Sequence, residues 1–267
     1  IWKQEDLAKT LERIQDKGKD GFYKGETAQL IADYMKQNGG LITLEDLEKY
    51  NAVERAPIVN DYRGHTIVSM PPPSSGGIIL SEMLNILEGY DLNQIGHNSA
   101  QYLHLLTESM RRAYADRANY LGDPDFNEDM PIEKLLSKEH AADLRGSINT
   151  EMKSESDPAL FAQAYESEET THYSIVDTMG NAVAVTTTIN GSYGSKVFVE
   201  KGGYFLNNEM DDFSSKPGVQ NMFGLIGGEI NSIAPQKRML SSMTPTIVER
   251  NGKLSMILGT PGGSTII

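Results

Sequence analysis

The first half of the chain carries apolar residues at the three-to-four spacing of helices. Leu7, Leu11 and Ile14 share one predicted helix face, and a second helix over residues 28–35 ends at Gly39-Gly40. Two further helices are predicted over residues 78–87 and 100–120, and the apolar face of the second carries Leu103, Leu106, Met110 and Ala113. Each of the four segments is long enough to bury one face against a common core.

Short polar and proline-containing segments separate these helices. Thr43, followed by Asp46 three residues later, predicts a capping box at the start of a short helix. Residues 65–70 form a strand candidate, and three prolines with Ser74-Ser75 follow as a rigid loop. Ser74-Ser75 could hold a nucleophile, but a loop is the simpler interpretation.

The pattern changes to β after residue 170. Strands are predicted over residues 173–177 and 182–188, and over 246–249 and 254–258 around the hairpin dipeptide Asn251-Gly252. Helices followed by hairpins predict an α+β fold with antiparallel sheets. Residues 146–169, between the two halves, are polar and without periodicity, which is typical of a functional or mobile loop.

Composition and charge narrow the function classes. The chain has 267 residues and a net charge of −13, a surface that repels phosphate backbones, so we expect no nucleic-acid partner. It has no cysteine, which excludes disulfides and a thiol nucleophile. No apolar run reaches the roughly 18 residues of a membrane span. Both ends look cut, so we interpret the chain as a fragment.

The common catalytic motifs are absent. The chain has no G-x-S-x-G elbow, phosphate-binding loop or H-E-x-x-H motif. Its histidines show no metal-ligand spacing, and we expect each to be an ordinary surface or core residue. What remains unusual is Thr170-Thr171, where the polar segment meets a predicted hairpin, although a threonine pair is also ordinary strand composition.

Long motifs surround this junction and resemble one family throughout the chain. After it, they are TTHYSIVD (170–177), GNAVAVT (180–186), LNNEMDDF (206–213), PQKRMLSSM (235–243) and TPGGS (260–264). Before it, they are YRG (62–64), MPPPSSGG (70–77), YADR (114–117) and YLGDP (120–124). This order resembles the γ-glutamyltranspeptidases, or glutathione hydrolases.

The resemblance implies an N-terminal-nucleophile hydrolase with a four-layer αββα fold, incomplete here at both ends. The precursor would cut itself between Glu169 and Thr170. Residues 1–169 would then be the C-terminal part of a large subunit, and residues 170–267 the start of the small, catalytic subunit. The two would form one intertwined structural domain.

Self-cleavage would make Thr170 both nucleophile and base. A threonine hydroxyl needs a base within hydrogen-bond reach. Cleavage frees an α-amine with a reference pKa of about 7.7–8.0, so part of it is neutral near physiological pH. By resemblance, Thr188 would hydrogen-bond the Thr170 hydroxyl, and the N–H groups of Gly262 and Gly263 would form the oxyanion hole.

The resemblance also assigns substrate-binding residues. Asn190, Glu209 and Asp212 would hold the substrate's α-ammonium group, with Asp212 the main charge partner. Ser241 and Ser242 would bind its α-carboxylate. Taken one at a time, these residues also suit a solvated turn or a helix start, and only their joint occurrence favours a site.

The chain departs from the family pattern at three positions, one in the lid and two where the family carries an arginine. Phe223 stands where many bacterial members carry an aromatic hydroxyl, so the predicted lid over the site would lack its hydrogen bond to Asn190. Thr265 stands where an arginine often follows. The arginine that the family places on the substrate α-carboxylate lies upstream of residue 1.

The predicted activity is γ-glutamyl transfer or hydrolysis. Thr170 would attack the γ-glutamyl amide of glutathione, and water, an amino acid or a peptide would accept the acyl group, with no metal or organic cofactor. The alternatives are a β-lactam side-chain acylase, a poly-γ-glutamate depolymerase, or an inactive remnant of the family. The family pattern also implies a periplasmic or cell-surface location.

Overall fold

The computed structural model describes residues 2–155, 170–214, 216, 219, 221, 227–263 and 266–267. Glu169, Phe223 and Thr265 lie outside the described residues. The helices are α1 (Glu5–Lys17), α2 (Asp20–Tyr23), α3 (Gly25–Asn38), α4 (Leu44–Lys49), α5 (Gly76–Leu87), α6 (Leu92–Ile95), α7 (Ala100–Tyr120), α8 (Ile132–Leu136) and α9 (Lys138–Gly146). The strands are β1 (Ile58–Tyr62), β2 (His65–Ser69), β3 (Thr171–Val176), β4 (Ala182–Thr187), β5 (Phe198–Val199), β6 (Tyr204–Phe205), β7 (Thr246–Arg250) and β8 (Lys253–Leu258). Short 3-10 turns cover Glu209–Asp212 and Glu229–Asn231.

One compact unit comprises Ile1–Arg55 and Gly191–Asn208. Its core joins α3, α4 and β5 through the buried side chains of Ala28, Ile31, Leu47 and Val199. The predicted capping box of α4 is confirmed, since the side chains of Thr43 and Asp46 each accept the other's backbone N–H.

The helix predicted around Leu7, Leu11 and Ile14 is α1; Leu7 and Ile14 are partly buried on it, but Leu11 is not. Leu11 is 55% exposed, whereas Thr10 is buried. The Thr10 hydroxyl donates to the Gly202 carbonyl at 2.8 Å. A polar residue therefore occupies the buried position because a backbone acceptor from a distant part of the sequence satisfies it.

The second compact unit comprises Ala56–Asn190 and Glu209–Ile267. Its main sheet is antiparallel with strand order β1-β2-β7-β8. The predicted β7–β8 hairpin is confirmed: Arg250 pairs with Lys253, and Asn251 and Gly252 have φ values of 54° and 70°. Two consecutive positive φ values are the conformation that favours Asn-Gly in tight hairpins.

Helix α5 forms the centre of this unit's core. Its Ile78, Ile79 and Met83 pack with Ile58 of β1 and Ala113 of α7. Further along α5, Ile86 and Leu87 pack with residues of α7 and α9. The helices and antiparallel sheets together give the predicted α+β class.

Helix α7 covers the predicted residues 100–120, but its buried face differs in detail from the expected one. Leu103 is 48% exposed, while Glu108 and Arg117 are buried. The Glu108 carboxylate accepts from Arg112 Nη1 at 2.7 Å and from the Ser154 backbone N at 2.9 Å. These contacts allow a charged side chain to replace an apolar one at the buried position.

The β3–β4 hairpin determines where Thr170 lies. Thr171 pairs with Thr187 at the open end of the hairpin. Thr170 and Thr188, one residue beyond each partner, therefore flank the same end. In the described part of the chain, no helix has the length and apolar character needed to cross a membrane.

Candidate active site

A cavity in the second unit brings together most of the residues singled out from the sequence. The space between its lining residues amounts to about 760 Å³, a volume that includes open solvent. Eight predicted site residues line it: Thr170, Thr188, Asn190, Asp212, Ser241, Ser242, Gly262 and Gly263. Glu209 is not among the described lining residues, and Phe223 lies outside the described part of the chain.

Thr170 lies at the wall of this cavity and is 9% exposed. Its hydroxyl donates to the carbonyl of Gly262 at 2.7 Å. Gly262 has a φ of 134°, a backbone conformation that favours glycine. The loop after β8 thus holds the threonine hydroxyl through a backbone carbonyl. The oxyanion hole was predicted from the N–H groups of Gly262 and Gly263, and this role stays a prediction.

Thr188 and Asn190 form the turn that leaves β4. Thr188 Oγ1 accepts from the Asn190 backbone N at 2.9 Å. Asn190 is buried with a φ of 72°, and its side chain hydrogen-bonds Asp212. This turn directs the Asn190 side chain towards Asp212, and the predicted contact between the hydroxyls of Thr188 and Thr170 stays a prediction.

Two carboxyl groups on the Glu209–Asp212 turn have raised pKa values. Burial raises the pKa of Asp212 to about 7, opposed by the Arg117 guanidinium and the Asn190 hydrogen bond. Burial and the Asp212 charge raise the pKa of Glu209 to about 7. Carboxyl groups shifted in this way gain stabilisation from a cation that enters their surroundings.

The serine pair is held with both hydroxyl oxygens as acceptors. Ser241 Oγ accepts from the Met243 backbone N at 3.1 Å, and Ser242 Oγ accepts from Arg117 Nη2 at 3.1 Å. A hydroxyl that accepts one bond keeps its proton for another partner. Ser241 and Ser242 can therefore donate to an anion in the cavity.

Arg117 connects the serine pair to a second loop. It is 6% exposed, and its Nε donates to Ser75 Oγ at 2.9 Å. The Ser75 hydroxyl and backbone N both donate to the Ser241 carbonyl at 2.9 Å. The Ser74-Ser75 loop is therefore a rigid support for the serine pair, in agreement with the simpler interpretation of this loop.

Asn231 connects the acidic turn to the serine segment. Its Nδ2 donates to the Asp212 carbonyl at 2.7 Å, and its Oδ1 accepts from the Leu240 backbone N at 3.0 Å. Asn231 is 5% exposed. A buried amide that uses both of its ends in this way sets the separation of the two segments.

Sequence reasoning missed Arg117, Asn231 and the supporting role of Ser75. Arg117 lies four residues after Ala113, which belongs to the predicted apolar face of α7, so helical spacing already placed it on the buried side. A charged residue on the buried side of a helix was the signal that could have identified Arg117 as a functional residue. Asn231 and Ser75 act through contacts with distant segments, which no local pattern reveals.

Comparison with known proteins adds a family match. The family model for gamma-glutamyltranspeptidase matches residues 1–267. The glutathione hydrolase proenzyme of Pseudomonas sp. (strain A14) is 53% identical over 99% of this chain, and that of Escherichia coli (strain K12) is 51% identical over 99%. The chain covers 46% of each of these relatives and thus spans about half their length.

A solved structure supports the likeness of fold. The crystal structure of cephalosporin acylase from Bacillus halodurans matches with a TM-score of 0.80 and 26% sequence identity. The match covers 97% of this chain and 44% of the acylase chain.

Proposed function

Because this chain belongs to the gamma-glutamyltranspeptidase family, we propose that the protein cuts itself before Thr170 and then transfers γ-glutamyl groups through that residue. Water accepts the group in hydrolysis, and an amino acid or peptide accepts it in transfer. The names of the relatives, glutathione hydrolase proenzymes, support glutathione as the donor and a precursor that is processed into two subunits.

The observation that carries this proposal is the distribution of charge around Thr170. The cavity has the Asp212 carboxyl on one lining segment, and on another the serine pair with the Arg117 guanidinium behind it. A free α-amino acid head carries an ammonium and a carboxylate, and these two sets of groups complement it. A γ-glutamyl donor held this way carries its amide on a side chain that can extend to Thr170.

The reaction follows from these positions. The Thr170 hydroxyl attacks the γ-carbonyl carbon, and the free α-amine of Thr170 takes the hydroxyl proton. The tetrahedral oxyanion forms next to the Gly262-Gly263 backbone, whose N–H groups are the proposed donors. The C–N bond then breaks, the leaving amine takes the proton, and water or an amine cleaves the remaining ester to release the γ-glutamyl group and free Thr170.

The proposal also covers the fold and the location of the whole protein. A four-layer αββα arrangement is what the family resemblance implies, and the TM-score of 0.80 with the acylase structure supports a shared fold over the length of this chain. The proposed periplasmic or cell-surface location is supported only by the family pattern in the sequence.

An acylase is the second candidate, because the acylase structure matches nearly the whole chain. The distinguishing group is Asp212. A free α-ammonium substrate needs a carboxylate there, whereas an acyl substrate without an α-amino group gains nothing from it.

The test compares the two substrate classes on the full-length protein. We expect γ-glutamyl-p-nitroanilide to be cleaved, Thr170→Ala to abolish cleavage, and Asp212→Asn to raise KM for this substrate strongly. Faster turnover of a β-lactam side-chain amide, unaffected by Asp212→Asn, would favour the acylase instead.

A further inference from the structure

Three ionisable side chains from three helices meet inside the second unit. They are Glu82 of α5, Asp116 of α7 and His140 of α9, and one ligand atom from each lies within 4.8 Å of the other two. His140 Nε2 and Asp116 Oδ2 are 2.7 Å apart. None of the three is among the described residues that line the cavity at Thr170.

Glu82 is the unusual member of this group. Its side chain is fully buried, with an exposure of 0%, and neither carboxyl oxygen has a hydrogen-bond donor among the described residues. Buried carboxyl groups are normally hydrogen-bonded or paired, because an unpaired one costs several kcal/mol. The Asp116 and His140 side chains lie next to it, so either a proton shared with Asp116 or a cation between the three side chains can satisfy it.

A divalent cation is the partner that satisfies all three groups together. Two carboxylates and one imidazole nitrogen form a ligand set of Zn²⁺, which accepts oxygen and nitrogen ligands in tetrahedral sites. With bond lengths of about 2.0–2.1 Å, tetrahedral geometry places ligand atoms about 3.3 Å apart. The present separations, from 2.7 Å to at most 4.8 Å, bracket that value, so rotamer adjustments suffice.

We propose that Glu82, Asp116 and His140 form a Zn²⁺ site that cross-links α5, α7 and α9. Three protein ligands leave the fourth tetrahedral position to water or another small donor. His140 binds as neutral imidazole through Nε2, and its backbone is fixed because its N–H donates to the Ser137 hydroxyl that caps α9. Binding of the cation releases any proton that the two carboxyl groups share.

The alternative is that a proton alone occupies the site. Burial and the neighbouring Asp116 raise the pKa of Glu82 to about 9, so in the absence of a cation Glu82 is protonated at neutral pH. In that case Glu82→Gln replaces a neutral acid with a neutral amide of the same shape. The two alternatives therefore differ in the unaltered protein: a Zn²⁺ site gives binding and a rise in Tm that Glu82→Gln removes, whereas a site that holds only a proton gives neither.

The site would also stabilise the catalytic half of α7. Asp116 immediately precedes Arg117, which donates to Ser75 and Ser242. A cation that anchors Asp116 to α5 and α9 fixes the rotation of α7 about its axis. That rotation determines whether Arg117 can reach both serines.

The experiment measures Zn²⁺ binding to the full-length, tag-free protein after chelation and dialysis. We expect one equivalent of Zn²⁺ per chain by elemental analysis and calorimetry, and a rise of several degrees in Tm when Zn²⁺ is restored. Glu82→Gln and His140→Gln should each weaken binding at least about 100-fold and remove the rise in Tm. The control is His104→Gln, which alters a histidine on α7 whose Nε2 contacts the Asn149 carbonyl instead.

Two results would overturn the proposal. One is the absence of stoichiometric Zn²⁺ binding by the unaltered protein. The other is equal binding by the Glu82→Gln, His140→Gln and His104→Gln variants, which would place the metal elsewhere. If Glu82→Gln fails to fold, His140→Gln still decides the question, because its replacement weakens Zn²⁺ binding only if His140 is a ligand.

Discussion

Arg117→Lys tests whether the buried guanidinium orients the substrate site. Arg117 uses separate nitrogen atoms to donate to Ser75 Oγ and Ser242 Oγ, at 2.9 and 3.1 Å. A lysine ammonium is a single point on a flexible stem and cannot reproduce this fork. We expect the variant to keep the positive charge but lose at least one of the two contacts.

The size of the effect follows from the contact that is lost. A hydrogen bond to a charged group contributes about 1.5–3 kcal/mol. If Ser242 then no longer donates correctly to the substrate carboxylate, this loss lowers kcat/KM by about 10- to 160-fold, at about 1.36 kcal/mol for each factor of ten. The reduction should fall mainly on KM, because the proposed role of Arg117 is to orient Ser242 towards the substrate's α-carboxylate and does not involve the scissile amide.

The assay is initial-rate kinetics with γ-glutamyl-p-nitroanilide, together with thermal unfolding. Arg145→Lys is the matched control, since Arg145 is a partly buried arginine of α9 that donates to the carbonyls of Asn85 and Ile86, away from the cavity. Arg117→Lys should raise KM much more than the control at a comparable loss of Tm. Equal changes in KM for both variants would refute the positioning role.

Three further predictions concern the nucleophile loop, the acidic group and the stability of α7. Gly262→Ala places a side chain at a φ of 134°, at a cost of about 1–3 kcal/mol. The variant should cut itself before Thr170 more slowly in a gel time course, and its turnover of substrate should also be slower. Unchanged rates would contradict this. KM for a γ-glutamyl donor should rise as the pH falls below about 7, because Asp212, with a pKa of about 7, becomes protonated and loses its attraction for the ammonium. Asp212→Asn should show a high KM with little of this pH dependence. A variant whose KM depends on pH as in the unaltered protein would count against the assignment. Although burial opposes it, hydrogen bonds lower the pKa of Glu108 to about 2, so the carboxylate stabilises the fold above its usual pKa of 4.5 and this contribution is lost as the pH falls towards 2. Urea unfolding should therefore show that Glu108→Gln lowers the free energy of unfolding by about 1–3 kcal/mol at pH 7, and by less in acid. The same change at the exposed Glu139 should lower it very little. Equal losses for the two variants would contradict this role of Glu108.

Features that depend on a few neighbouring residues were predictable from the sequence. The capping box of Thr43 and Asp46 and the Asn251-Gly252 turn are both present as predicted. Each is determined by contacts within four residues, so local chemistry suffices. The extent of α7 was predictable for a related reason, since its apolar spacing persists over many turns.

Burial of polar residues was not predictable, because their partners are distant in the sequence. Thr10 displaces Leu11 from the core through a contact with Gly202. Arg117 is buried because Ser242, 125 positions away, accepts from it. Periodicity places a residue on a face, but it cannot show that a remote acceptor makes a polar residue acceptable there.

In the candidate site too, local features were predictable from the sequence and long-range contacts were not. The β3–β4 hairpin was predictable from the local pattern, and its register places Thr170 and Thr188 at one end. Motif resemblance, not spacing, linked them to Asp212 and the serine pair. The connecting residue Asn231 was missed because it lies outside the motifs and acts only through tertiary contacts.

Self-cleavage before Thr170 is the central claim, and the most direct test is the intact mass and N-terminal sequence of the freshly purified full-length protein. We expect two fragments, the second beginning Thr170-Thr171-His172, and a single uncut chain for Thr170→Ala. An uncut wild-type chain, or a Thr170→Ala chain that still splits at this bond, would contradict it.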